Sequence, residues 1–129
     1  MSDETNFYAS IALSARRLSN CKRPEGAVII SGGRVAAYGH NQVIADEHEL
    51  SALKSAFLKC QPGDLPGALV LCTRFPSKSD MELIMGSGVS KVGFFGPIEG
   101  TDTVQMVNAF TEKFPNRLEI VKLESGSPS

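Results

Sequence analysis

From residue 68 to residue 121 the sequence alternates short apolar runs with helical stretches, and this alternation restricts the fold more than any other feature of the chain. Ala68-Leu69-Val70-Leu71-Cys72, Val89 to Phe95, and Leu118-Glu119-Ile120-Val121 are the apolar runs. The stretches between them, about residues 79–86 and 101–114, carry helical spacing, with Val104, Val107 and Phe110 on one face of the second. Neighbouring parallel strands cannot be joined by a tight turn, so strands spaced by helices pair through crossovers. Ala68 to Cys72 does not alternate apolar with polar, which places it at the sheet centre, covered on both faces.

The first half adds a hairpin. Gly26-Ala27-Val28-Ile29-Ile30 and Val35-Ala36-Ala37-Tyr38 flank Ser31-Gly32-Gly33, and a Gly-Gly between two such runs is a turn signal. A helix is expected over residues 6–19, with Phe7, Ile11, Ala12, Ala15 and Leu18 as its stripe and Asp3 and Glu4 ahead of it. Another is expected to open at Asp46-Glu47-His48-Glu49. Leu50, Leu53 and Phe57 form its stripe, Ala52 and Ala56 widen it, and Pro62-Gly63-Asp64 ends it. The resulting order, α-β-β-α-β-α-β-α-β, implies a three-layer α/β domain: a mixed five-stranded sheet with helices on both faces. That domain is expected to occupy residues 1–123, and residues 124–129, E-S-G-S-P-S, are expected to be a disordered tail.

With 42% hydrophobic residues, the 129-residue chain can build one core unaided by disulfide or metal. Cys21, Cys60 and Cys72 are odd in number and show no C-x-x-C spacing, unlike a disulfide framework. Thirteen basic and fourteen acidic residues leave a net charge of −1, which gives no bulk attraction to nucleic acid. No apolar run approaches the roughly 18 residues that span a bilayer, and Met1-Ser2-Asp3-Glu4 is acidic, unlike a signal peptide. A cytoplasmic protein is the expectation.

Three blocks carry a resemblance. Ser19-Asn20-Cys21-Lys22-Arg23 leads into Gly26-Ala27-Val28-Ile29-Ile30. Gly39-His40-Asn41 ends the second strand. Leu71-Cys72-Thr73-Arg74-Phe75-Pro76 precedes a helix and then Gly88-Val89-Ser90-Lys91-Val92. In order and spacing, over about residues 7–96, these blocks resemble the zinc-dependent cytidine/deoxycytidylate deaminase family. The resemblance implies a cytidine-deaminase-like fold. It also implies a zinc signature, H-x-E at one helix start and P-C-x-x-C at the next, in which the metal activates water and the Glu moves protons. Matched onto this chain, Glu49 falls on the catalytic Glu, Glu47 on the zinc His and His48 on the small residue between them. Pro76 matches the motif proline, while Ser77 and Asp80 replace the two cysteines. The resemblance further marks Gly26, Ala27, Asn41 and Phe75 as lining a ligand pocket. Lys22 and Arg23 are candidate phosphate contacts, and His48 is large enough to fill the base space.

The same residues have plainer readings. Asp46 and Glu49 make a capping box, as do Ser79 and Glu82, and Ser77 to Asp80 is good helix-start chemistry. Lys22 and Arg23 are ordinary loop charges, and Asn41 after Gly39 suits a turn. A serine hydroxyl is a poor substitute for thiolate, so zinc is not expected as a cofactor. If Glu47, Glu49 and Asp80 converge, their repulsion must be met by a held proton, by an inward Arg74 or Lys78, or by a hard divalent cation such as magnesium, calcium or manganese. The leading expectation is a catalytically degenerate relative that binds a nucleotide or related small molecule, in a regulatory or sequestering role. Its rivals are an inactive subunit, homo- or hetero-oligomeric with a deaminase-fold partner, and an enzyme using a different metal.

Overall fold

The computed structural model describes residues 3–45 and 48–124. Among the described residues, four α-helices and seven strands follow one another as α1 (Asp3–Ala15), β1 (Gly26–Ser31), β2 (Arg34–His40), β3 (Gln42–Val43), β4 (Glu49–Leu50), α2 (Ala52–Lys59), β5 (Leu69–Cys72), α3 (Lys78–Ser87), β6 (Lys91–Phe94), α4 (Thr101–Lys113) and β7 (Glu119–Lys122). The main sheet runs β2-β1-β5-β6-β7. β1 is antiparallel to both β2 and β5, whereas β5, β6 and β7 are parallel, as helical crossovers require. The expected mixed five-stranded sheet with helices on both faces is the observed one, and the apolar run ending at Cys72 is its central strand.

Alternation within the central strands assigns the faces. Ala27 and Ile29 of β1, with Val70 and Cys72 of β5, point into a core shared with α2, α3 and α4 through Leu53, Met81, Ile84 and Val107. Val28, Ile30 and Leu71 point the other way, against Tyr8, Ala9 and Ala12 of α1. Both faces are covered, so these strands read as continuous apolar runs. Gly32 and Gly33, both at positive φ, make the β1–β2 turn.

Three expectations need correction. The buried stripe of α1 is Tyr8, Ala9, Ala12 and Ala15, while Phe7 and Leu18 stand exposed. Small residues win because the helix backbone lies directly on β1: a Cβ at Gly26 would collide with the carbonyl oxygen of Ala12. Tyr8 can be buried because its hydroxyl donates to the Gly33 carbonyl at 2.7 Å. The second correction concerns α2, which starts at Ala52 with Ser51 as N-cap, not at Asp46. Glu49 lies before the helix, in β4, paired with Val43 across a short two-strand ribbon. The third is the start of α3, where Ser77 is the cap and Ser79 sits inside the first turn. Asp46, Glu47 and residues 125–129 lie outside the described residues, and with them the proposed capping box and nearly all of the expected tail.

Candidate functional site

The starts of α2 and α3 meet at the end of β5. Ser51 caps α2 by accepting from the Lys54 amide at 3.1 Å. Ser77 caps α3 by accepting from the Asp80 amide at 3.2 Å. The two starts are then tied side chain to side chain: the Ser51 hydroxyl donates to Asp80 Oδ1 at 2.8 Å, and Lys54 Nζ donates to Ser79 Oγ at 2.8 Å. Asp80 is only 6% exposed. Burial raises its carboxyl above the ordinary carboxylate value, and the Ser51 hydrogen bond and the Lys54 charge oppose that rise.

A cavity of about 460 Å³ opens over this junction. Gly26 and Ala27 of β1 form part of its wall, with Ser51 to Leu53 at the start of α2 and Cys72 to Ser77 leading into α3. Glu99, Gly100 and Thr103 close the side nearest α4. Ligands of open α/β sheets bind at such a place, outside the carboxyl ends of parallel strands. Cys72 reaches the wall, but burial pushes its thiol far up, so it stays protonated.

The carboxylate cluster expected from Glu47, Glu49 and Asp80 takes a different form. Glu47 is outside the described residues. Glu49 and Asp80 share the cavity wall with Glu25. Arg74 has turned inward, Nη1 donating to Glu25 at 2.9 Å and Nη2 to Glu99 at 2.8 Å. Burial raises the Glu25 carboxyl; Arg74 offsets this, and the charges of Glu49 and Asp80 add to it. Among the described residues, no three His, Cys, Asp or Glu side chains gather as a metal-holding group.

Of the residues expected to line a pocket, Gly26, Ala27 and Phe75 do so. The Gly26 amide donates to Thr73 Oγ1 at 2.9 Å, which stitches the entrance of β1 to the end of β5. Phe75 packs edge-on against Phe94. Asn41 is fully buried and its amide is committed to two backbone groups and the Glu49 carboxylate. Its Oδ1 accepts from the Glu25 amide at 2.8 Å, and its Nδ2 donates to the Arg23 carbonyl at 2.9 Å and to Glu49 Oε2 at 3.3 Å. Asn41 thus holds the loop before β1 and is not part of the cavity wall. Lys22, Arg23 and His48 are exposed and also stand outside the wall. Sequence reasoning missed Ser51, Glu25, Glu99 and Thr103. Only Ser51 carried a usable signal, as a cap residue just ahead of Ala52.

No family model matches the sequence, and no curated protein matches it. Solved structures do. A dCMP deaminase from the cyanophage S-TIM5 superposes over 95% of this chain and 100% of its own, with a TM-score of 0.74 at 24% identity. The chain has the cytidine/deoxycytidylate deaminase fold. Acinetobacter baumannii RibD matches 92% of this chain with 35% of its own, at a TM-score of 0.71 and 15% identity. A structure from work on A-to-I editing by tRNA:A34 deaminases matches 93% of the chain and 99% of its own, at a TM-score of 0.63 and 18% identity. The deaminase fold thus accounts for nearly the whole chain, and the cavity lies where α2 and α3 begin.

Proposed function

We propose that this chain is a catalytically degenerate deaminase-fold protein that binds a nucleoside-like or nucleotide-like small molecule without zinc hydrolysis, in a regulatory or sequestering role. The observation that carries this reading is the Ser51–Asp80 hydrogen bond, which joins the two helix starts under an open cavity. With α2 beginning at Ala52, the H-x-E motif reads onto Ser51-Ala52-Leu53, and P-x-x-x onto Pro76-Ser77-Lys78-Ser79 with Asp80 last. The donors at the three ligand positions are therefore two hydroxyls and one carboxylate. Both hydroxyls are already engaged as helix caps. Zinc favours thiolate and imidazole, so this donor set does not fit it. On this reading Leu53, a buried core residue, takes the general acid–base position in place of Glu49, and a hydrocarbon moves no proton.

What the site retains is space and polarity. The cavity volume suits a small ligand. The S-TIM5 dCMP deaminase with this fold has been solved with dCMP and dUMP, which favours a pyrimidine as the first ligand to try. The test is a thermal-shift panel of nucleosides and nucleotides, run beside elemental analysis of the purified protein. A ligand present at 100 times its dissociation constant adds about 2.7 kcal/mol of stability, easily read in the melting temperature. Saturable stabilisation by one ligand class, with no ammonia released from it, supports the reading. Stoichiometric zinc, or ammonia release that tracks the protein, overturns it.

A further inference from the structure

Among the described residues, Arg74 is the only guanidinium in the cavity wall, and both of its terminal nitrogens are occupied by carboxylates. Nη1 is bound to Glu25, the inner partner; Nη2 is bound to Glu99, which is 47% exposed at the rim. A phosphate entering this cavity would seek the same face of the same group, because a guanidinium presents its donors as a fork that suits phosphate and carboxylate alike. Glu99 already fills one arm of that fork. Around the triad the wall carries Glu25, Glu49, Asp80 and Glu99 against Arg74 and Lys78, so acidic groups outnumber basic ones. The segment that bears Glu99 runs into α4, whose cap, Gly100, contributes no side-chain hydrogen bond.

From this arrangement we infer that Glu99 is a specificity-determining residue: by holding Arg74 Nη2 it excludes phosphate-bearing ligands from the cavity and leaves it selective for an uncharged or cationic, nucleoside-like ligand. Glu99 acts as a built-in competitor. Its carboxylate takes the place on Arg74 that the ligand's anionic end would need, and its own charge repels that end. The inference deepens the small-molecule reading above and rests on it for the ligand class; the exclusion of anions rests on the Glu25–Arg74–Glu99 triad alone.

Two measurements separate those dependencies. The first uses inorganic phosphate as the probe, at constant ionic strength balanced with chloride, because exposed charges are screened by salt. Phosphate should leave the melting temperature of the parent at the chloride value, raise that of Glu99→Gln, and lose this effect in the Glu99→Gln/Arg74→Gln double variant. Glu99→Ala serves as a second variant and should respond to phosphate as Glu99→Gln does. Equal responses of parent and Glu99→Gln to phosphate overturn the inference, and so does a response that survives removal of Arg74. The second measurement compares deoxycytidine with dCMP by titration calorimetry. The parent should prefer the nucleoside by about tenfold or more, a difference of about 1.4 kcal/mol, and Glu99→Gln should shrink that preference. Tighter binding of dCMP by the parent overturns the inference. If neither pyrimidine binds while the phosphate results hold, the pyrimidine reading fails and the anion filter stands.

Discussion

Ser51 and Asp80 lie 29 positions apart in sequence, on separate helix starts, and their side chains share a 2.8 Å hydrogen bond. Each also serves its own helix, Ser51 as the cap of α2 and Asp80 through its amide bond to the cap of α3. The contact therefore couples two caps that would otherwise be independent. Ser51→Ala removes a cap worth about 1 kcal/mol and strips a partner from a buried carboxylate, which costs about 1–3 kcal/mol more. Urea unfolding should show a lower midpoint at an unchanged slope. A loss no larger than that of a surface serine would mean the contact does not form in solution.

The acid dependence of stability follows from the burial of Asp80 and Glu25, which raises both carboxyls in the folded state. In the unfolded chain such groups ionise near pH 4. Between that point and the folded values, the folded state keeps protons that the unfolded state has released. Each raised group therefore lowers stability as pH climbs through this window. Asp80→Asn removes one such contribution. Its melting temperature should rise relative to the parent's on going from pH 4 to pH 7. Parallel curves would show that Asp80 is solvated in the folded protein.

Metal dependence provides a third test. Chelator should leave the melting curve of the parent unchanged. Ser51→His, Ser77→Cys and Asp80→Cys together restore an imidazole and two thiolates at the helix starts, and that variant should take up zinc and be stabilised by it. Elemental analysis and zinc-dependent melting provide the readout. Adding Leu53→Glu supplies the missing proton carrier and is the only one of these changes aimed at hydrolysis. A folded triple variant that takes up no zinc would show that Ser51, Ser77 and Asp80 are not the three ligand positions.

Close backbone approach makes Gly39 intolerant of any side chain. A Cβ there would lie 2.6 Å from the Ala56 amide nitrogen and 2.7 Å from the Ala52 carbonyl oxygen, since α2 lies flat on β2. Gly39→Ala must push the helix away and should cost about 1–3 kcal/mol by overpacking, or more. Gly63→Ala, with open space around it, is the control, and its unfolding midpoint should stay near that of the parent.

Sequence reasoning reached the sheet because the strands buried on both faces are continuous apolar runs that only helical crossovers could connect. Pro76, Ser77 and Asp80, singled out in the sequence, do line the cavity, although the cap of α3 is Ser77, two residues before the expected Ser79. Sequence reasoning failed at α2 for a physical reason. Asp46 and Glu49 make a stronger local capping signal than Ser51 does, yet Glu49 and Leu50 are drawn into a ribbon with Gln42 and Val43. Ser51 gains a tertiary partner in Asp80 that no local window contains. The cap of α2 therefore lies five residues beyond the expected Asp46, and the motif placement proposed above moves with it, from Glu47 and Glu49 to Ser51 and Leu53. The Glu25–Arg74–Glu99 triad was hidden for the same reason: its members are 49 and 25 positions apart.

Asn41 determines how the loop before β1 meets a protease. One amide side chain fastens Arg23 and Glu25 to the end of β2, and the Lys22–Arg23 peptide bond lies directly beside that fastening. Trypsin must draw several residues of an extended substrate into its cleft, so Lys22 can be cut only as fast as this loop comes loose. In Asn41→Ala the loop would be released without unfolding the sheet, and cleavage after Lys22 should become the first nick in the chain. In the parent the same bond should survive for as long as the domain stays folded.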